Sequence, residues 1–237
     1  MRSGKHYRYF DTITALFCVV LVVSNVASSA KIIDWGVSFL GLPLAFDAGT
    51  ILFPISYIFG DILTEVYGYK NSRRVIWTGF AALILSSVVF WWVGLMPGES
   101  TWQDYAGDTA YAAILGGMSS GGIVLASLAG YLSGEFTNSI ILAKLKVYTA
   151  GRFLWLRTIS STLIGQFVDT LAFILVATIL SVFPWSLFTT LFVTNYIFKV
   201  SIEVIFTPIT YLVIRWLKRV ENEDVYDRNT NFNPFRR

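Results

Sequence analysis

The stretch Val75-Ile76-Trp77-Thr78-Gly79-Phe80-Ala81-Ala82-Leu83-Ile84-Leu85-Ser86-Ser87-Val88-Val89-Phe90-Trp91-Trp92-Val93-Gly94-Leu95-Met96-Pro97-Gly98 has no charged side chain over 24 positions. A helix needs about 20 apolar residues to cross a bilayer's hydrocarbon core of ~30 Å. This run is long enough and apolar on every face, which a helix on a soluble core is not. Similar runs lie at residues 12–30, 109–134 and 170–198. The last exceeds one span and breaks at Phe183 and Pro184. A further apolar segment tolerates Asp47, Asp61 and Glu65. The predicted spans are therefore about 12–30, 46–67, 75–95, 112–140, 158–182 and 186–214.

Composition agrees. Hydrophobic residues make up 55% of the 237 and charged residues 14%, where a soluble domain has about 25% charge. Mean hydropathy is +0.62. The 19 Phe, 12 Tyr and 8 Trp exclude a disordered chain. Cys18 is the one cysteine and His6 the one histidine. No internal disulfide, cysteine-based metal site or intramembrane histidine chemistry is available. The fold class predicted is an all-α integral membrane protein. Six transmembrane helices form one bundle and one domain over residues 1–237, with a polar, frayed tail at 221–237.

Charge placement gives the orientation. With both termini inside, 16 of the 18 basic residues fall in inside segments; Lys31 lies outside and Lys199 within a span. The second outside loop carries Glu99, Asp104 and Asp108. This is the positive-inside pattern, so the net charge of +3 marks orientation rather than a nucleic-acid footprint. A rival reading makes the start a cleaved signal peptide ending at Ser28-Ser29-Ala30. The length of the run and Asn25 near its end weigh against that.

Polar residues in the hydrocarbon cost roughly 2.5–3.5 kcal/mol each when charged, and here they recur at helical spacing. Gly49, Phe53, Tyr57, Asp61 and Glu65 fall four apart. So do Gly122, Ala126, Gly130, Gly134 and Asn138, with Glu135 beside them. Ser161, Gly165 and Asp169 form a third stripe flanked by Gln166, and Asn195, Lys199, Glu203 and Thr207 a fourth. The first span adds Asn25 and Ser29; the third has no charge and reads as a lipid-facing or scaffold helix. At 1.5 Å per residue, Asp61, Glu135, Gln166, Asp169 and Glu203 lie roughly 7–17 Å from the inner ends of their spans. Acids and amides from several helices thus converge at one level.

Each stripe also has a packing explanation. The small residues of the fourth span let helices approach closely. Lys199 and Glu203, spaced i and i+4, can neutralise one another. Asp61 and Glu65 can pair with Arg73 or Arg74. Asp169 has no basic neighbour in its own helix. Trp155, Trp185 and Trp216 read as interfacial anchors.

No G-x-x-x-x-G-K-[ST] occurs, so ATP hydrolysis is not supported, and no membrane Ser–His pair exists. The chain is not read as an enzyme, and no cofactor or metal is expected. Carboxylates and amides beside aromatic rings suit a flat heterocycle with several N–H donors.

The block from Phe53 through Pro54, Tyr57, Gly60, Asp61, Glu65, Gly68 and Lys70, followed by Ser72-Arg73-Arg74 and Trp77, resembles the signature of the queuosine precursor transporter family, also called the vitamin uptake transporter family. Val23-Ser24-Asn25-Val26, Leu154-Trp155-Leu156-Arg157, Gly165-Gln166-Phe167-Val168-Asp169 and Thr207-Pro208 agree with it. The resemblance covers about residues 12–217. It implies a six-helix inner-membrane protein similar in fold to the substrate-binding components of energy-coupling-factor transporters. It also implies uptake of a 7-deazaguanine base such as preQ0 or preQ1. Where the family often has Gln then Asp, this chain has Glu135 and Asn138.

The function expected is import of such a base across the cell inner membrane. The partners are the base, the lipid bilayer and, as an open expectation, a second copy in a homo-oligomer; nucleic acid is not one. The candidate binding residues are Asn25, Phe53, Tyr57, Asp61, Glu65, Glu135, Asn138, Gln166, Asp169 and Lys199. Asp61, Glu135 and Asp169 double as proton-linked candidates. The alternatives are a substrate-binding subunit that requires a separate energising module, and a structural or assembly protein.

Overall fold

The computed structural model describes residues 7–39, 42–119 and 121–236. The elements are α1 (Phe10–Ala30), strands β1 (Ile32–Phe39) and β2 (Leu42–Asp47), a 3-10 turn (Ala48–Ile51), α2 (Phe53–Tyr67), α3 (Tyr69–Gly94) and α4 (Ser100–Tyr105). Then follow α5 (Gly107–Ser119), α6 (Gly121–Tyr148), α7 (Leu154–Ile179), a 3-10 turn (Trp185–Leu187) and α8 (Phe188–Glu221). Among the described residues five helical stretches are long and apolar enough to cross a membrane: Phe10–Ala30, Tyr69–Gly94, Gly107–Tyr148, Leu154–Ile179 and Trp185–Glu221.

The expected span at 46–67 is realised differently. Its helical part, α2, has 15 residues, about 22 Å of helix and short of a full crossing. Pro54 in its first turn has a φ already suited to helix entry. The segment before it, expected as a simple break, forms an antiparallel hairpin pairing Ile32 with Asp47 and Phe39 with Leu42. Its signal is a period of two: Ile33, Trp35, Val37 and Phe39 alternate with Asp34, Gly36 and Ser38. Gly36, at φ +67, sits where the register slips between Asp34 and Ser38, the geometry of a bulge. The all-α membrane class holds, and this two-stranded hairpin is an addition to it among the described residues. The 3-10 turn packs tightly on α1. A Cβ on Gly49 would lie 2.2 Å from the Ser24 carbonyl oxygen, so only glycine fits.

The core centres on Phe17, Leu21, Leu63, Val66 and Ile76 of α1, α2 and α3, joined by Phe136 and Ala143 of α6, Leu154 of α7 and Ile214 and Leu217 of α8. The outer half of α3 exposes Leu85, Val88, Trp91 and Trp92, as suits a helix facing lipid.

The frayed tail is also corrected. Two acids near the chain end finish helices far away in sequence. Glu221 accepts the backbone N–H of Arg8 at 3.0 Å and of Tyr9 at 2.7 Å, at the start of α1. Asp227 accepts the N–H of Tyr69 at 3.0 Å, at the start of α3, where the capping position is Gly68 and has no side chain to offer. Helix N-termini leave N–H groups unpaired and carry a positive partial charge, so a carboxylate is favoured at both. The tail then runs along α3. Arg73 donates to the Asn233 carbonyl at 2.7 Å and the Trp77 indole to that of Pro234 at 2.9 Å.

At the same end of the bundle Glu65 is fully buried. It receives Arg157 through both guanidinium nitrogens, at 2.5 and 3.1 Å, and Lys218 at 2.6 Å. Lys146 is 3.6 Å away and donates to the Glu65 carbonyl at 2.6 Å. Burial works to raise the Asp224 carboxyl, but Lys146 and Lys218 beside it prevail and hold it below its ordinary value. Residues from all four of the basic segments placed on one side by sequence are joined here by direct bonds.

Two outcomes are expected. Glu65→Gln strips the charge from three cations and should cost about 3–5 kcal/mol, the range for breaking a buried ion pair. A thermal melt of purified protein within error of wild type would contradict this. Asp227→Ala leaves the Tyr69 N–H unpaired, at a cost of about 1–3 kcal/mol. Trypsin should then cut at Arg228 faster than in wild type, and equal cleavage rates would show that the tail is held by other contacts.

Candidate substrate site

α6 and α7 form the most extensive helix pair, and glycines are the reason. A Cβ on Gly134 would lie 2.5 Å from the Asp169 Cβ and 2.6 Å from the Tyr57 hydroxyl. One on Gly130 would lie 2.7 Å from an Asp169 carboxylate oxygen, and one on Gly165 2.8 Å from the Asn138 Cβ. The small-residue stripes therefore serve close packing. They bring Tyr57 of α2 and Asp169 of α7 onto one turn of α6.

Beside that contact opens a cavity of about 620 Å³, within the usual range for small-molecule pockets. α1 contributes Asn25, Ser28 and Ser29; α2 contributes Phe53, Ser56 and Tyr57; α3 contributes Ser87. Ser127 and Tyr131 come from α6, Asp169 and Phe173 from α7, and Asn195 and Lys199 from α8. Much of the remaining wall is aliphatic, including Leu21, Leu83, Val124 and Leu191.

The central polar feature is an ion pair across α7 and α8. The Lys199 ammonium donates to Asp169 Oδ2 at 2.8 Å, both side chains being about nine-tenths buried. The same ammonium lies 5.4 Å from the centre of the Phe53 ring, a cation–π distance. The i,i+4 pair of Lys199 with Glu203 is thus replaced by a pair across helices, and Asp169 has its cation after all. Asn25 donates to the Leu21 carbonyl at 2.8 Å and Asn195 to that of Leu191 at 2.9 Å. A flat solute entering here meets a carboxylate acceptor, an ammonium donor and aromatic faces within one wall.

The structure divides the candidate residues into three groups. Asn25, Phe53, Tyr57, Asp169 and Lys199 line the cavity. Asp61, Glu135, Asn138 and Gln166 do not; they are buried among the helices beneath it. There Asn138 donates to Asp61 at 2.8 Å, while Gln166 at 3.1 Å and Thr162 at 2.6 Å donate to Glu203. Glu65 belongs to neither group but to the ionic knot, paired with Arg157 and Lys218 in place of Arg73 or Arg74. Asn195, Ser127 and Phe173 line the cavity without having been candidates. Asn195 stood in the stripe of Lys199, four residues earlier, and its spacing was the available signal. Phe173 follows Asp169 by four residues and carried the same signal, whereas Ser127 lies one position off the small-residue stripe of its helix and gave none. Among the described residues no cluster of three or more His, Cys, Asp or Glu could hold a metal ion.

Residues 47–213 match the family model described as "Putative vitamin uptake transporter". The chain is also similar to a "Probable queuosine precursor transporter" of Bacillus subtilis (strain 168), 27% identical over 164 residues that cover 69% of each chain. No solved structure matches. The matched span includes α2 with its carboxylates, the glycine-packed pair α6 and α7, and the α8 turn bearing Lys199. The chain belongs to the vitamin uptake transporter family.

Proposed function

We propose that this membrane protein imports a queuosine precursor, a 7-deazaguanine base such as preQ0 or preQ1, and holds it in the cavity at Asp169 and Lys199. The observation that carries the reading is that ion pair, set in a largely apolar wall beside Phe53. A 7-deazaguanine presents ring and exocyclic N–H donors next to a carbonyl. Asp169 is placed to accept from the donors, Lys199 to donate to the carbonyl, and Phe53 to cover a face of the ring. Tyr57 and Asn25 supply further polar edges. The relative from Bacillus subtilis bears the same substrate in its name.

In this reading the chain is one transporter domain over residues 1–237, and α2 with its hairpin completes a sixth crossing, as in substrate-binding components of energy-coupling-factor transporters. It resides in the cell inner membrane with both termini cytoplasmic, because the end of the bundle that carries the ionic knot is also the basic end. The second reading is a substrate-binding subunit for a vitamin or purine-like solute that needs a separate energising module. Uptake by this chain alone in a host without such a module distinguishes the two. Competition of uptake by the nitrile base, the aminomethyl base, queuine and guanine identifies the substrate; equal competition by guanine and the deazapurines would overturn the assignment.

Orientation is checked by cysteine labelling in a Cys18→Ser background. Tyr105 and Tyr148 are both strongly exposed, at 77% and 89%, so neither substitution disturbs packing. Tyr105→Cys should label from outside intact cells and Tyr148→Cys only after permeabilisation. The reverse pattern would invert the topology.

Asp169→Asn keeps the shape but turns one acceptor oxygen into a donor and strips Lys199 of its counter-charge. A buried donor facing a ligand N–H costs about 1–3 kcal/mol, which is roughly ten- to a hundredfold in affinity. Monodisperse Asp169→Asn protein should therefore bind the base that much more weakly than wild type. Wild-type affinity in that sample would remove Asp169 from the site.

A further inference from the structure

Beneath the cavity Asp61, Glu135 and Glu203 are each at most 4% exposed, and Asp169 is 8% exposed in its wall. The four acids do not have equal company. Asp61 has the Asn138 amide, Glu203 has Thr162 and Gln166, and Asp169 has Lys199. Glu135 is fully buried, and among the described residues neither carboxyl oxygen has a hydrogen-bond partner. Its carboxyl is pressed against α2, so that a Cβ on Gly60 would lie 2.8 Å from Oε2. Around it the open atoms are also oxygens. The Asn138 and Gln166 amides have each given an N–H to an acid and leave Oδ1 and Oε1 buried and unpaired, and the Tyr57 hydroxyl is engaged with Asp169.

We propose that this cluster is a proton-binding site, that Glu135 is the group that carries the proton, and that its occupancy is linked to that of the cavity through Asp169. This deepens the reading of the cavity as a solute site and rests on it for the linkage alone.

An ionised carboxylate without a donor or counter-ion in a buried site is the costliest arrangement available to it, and the neutral acid removes that cost. Among the described residues the nearby cations are already engaged. The ionisable groups that act on Glu135 from its neighbours are Asp61 and Tyr57 on α2, Tyr131 on α6, Asp169 on α7 and Glu203 on α8. Lys199 is held by Asp169 and Arg157 by Glu65. Of the α3 cations, Lys70 and Arg74 lie in its first two turns with Arg73, which is bound to tail carbonyls. α1 brings Cys18, which faces Tyr131. Three acids and one committed ammonium leave a proton as the group that balances Glu135. The described acids do not converge as a metal ion would require.

The link to the cavity is mechanical as well as electrostatic. Asp169 and Tyr57 both press on Gly134, the residue before Glu135, and both line the cavity. A base that draws on Asp169 changes the charge facing Glu135, and protonation of Glu135 changes the potential at Asp169. Such linkage is reciprocal.

The proton is tested without any substrate. Difference infrared spectroscopy on wild-type protein near neutral pH should show the carbonyl stretch of a protonated carboxylic acid, shifted in D₂O. The band should lose one carboxyl in Glu135→Gln and be unchanged in Glu99→Gln, which alters an exposed loop acid. A wild-type protein without the band, or a band untouched by Glu135→Gln, overturns the proposal. The linkage is tested in proteoliposomes with radiolabelled preQ1. An inward proton gradient should drive accumulation, while Glu135→Gln retains counterflow exchange and loses accumulation at least tenfold. Glu135→Gln with Asn138→Asp, which puts an acid one turn away beside Asp61, should regain both band and accumulation. If Glu135→Gln does not yield folded protein, alkaline titration of the wild-type band replaces it, and a band that never titrates overturns the proposal. Accumulation that follows a sodium gradient and ignores the proton gradient also overturns it. If wild type carries no preQ1, the substrate reading fails, and the infrared result still decides the proton site.

Discussion

Glu65 is a carboxylate with no exposure to solvent and three cations around it, and the basic end of the bundle is organised by that fact. Arg157 comes from the start of α7, Lys146 from the end of α6 and Lys218 from the end of α8. An unpaired charge at any of these positions would be costly in a buried setting, so each helix end is tied to α2. The short α2 is thereby fixed in depth and rotation. Its other end carries Phe53 and Tyr57 into the cavity wall.

The same economy appears at the helix starts. α1 and α3 begin without side-chain caps of their own. Glu221 and Asp227 supply them from the far end of the chain, and the polar tail becomes an integral layer over α3 rather than a loose extension. Lys146 stitches the two systems together, since it donates to Glu65 on α2 and to Asp224 and the Val225 carbonyl in the tail.

Toward the middle of the bundle the polar groups serve a different end. Glycines on α6 and α7 let the two backbones close up, and this leaves room on the other side of Asp169 for a cavity. The polar residues then separate by depth. Those in the wall form an ion pair that a ligand can enter, and those beneath it form a layer of acids and amides in which oxygen atoms stay open. In the proposed reading, a solute site above a layer of acids gives a physical basis for coupling two occupancies, because both would act on one carboxylate, that of Asp169.

Much of this was legible in the sequence. Uncharged runs longer than a bilayer is thick determined the membrane class and five of the spanning helices, since hydrocarbon tolerates little else. The distribution of Lys and Arg marked four segments for one end, and the structure joins residues of all four there. Four-residue spacing picked out Phe53, Tyr57, Asp169 and Lys199 as inward-facing. Spacing within a helix reports a face and says nothing of the partner opposite or the depth at which it meets one. Tertiary structure alone decided that Lys199 pairs with Asp169 rather than Glu203, that Glu65 belongs to a structural knot, and that Asp61, Asn138 and Gln166 lie under the cavity instead of in its wall. It also decided that a tail polar enough to be read as frayed is docked, because the Tyr69 N–H and the Arg73 and Trp77 side chains that hold it are more than 150 residues away, which no local pattern can reveal.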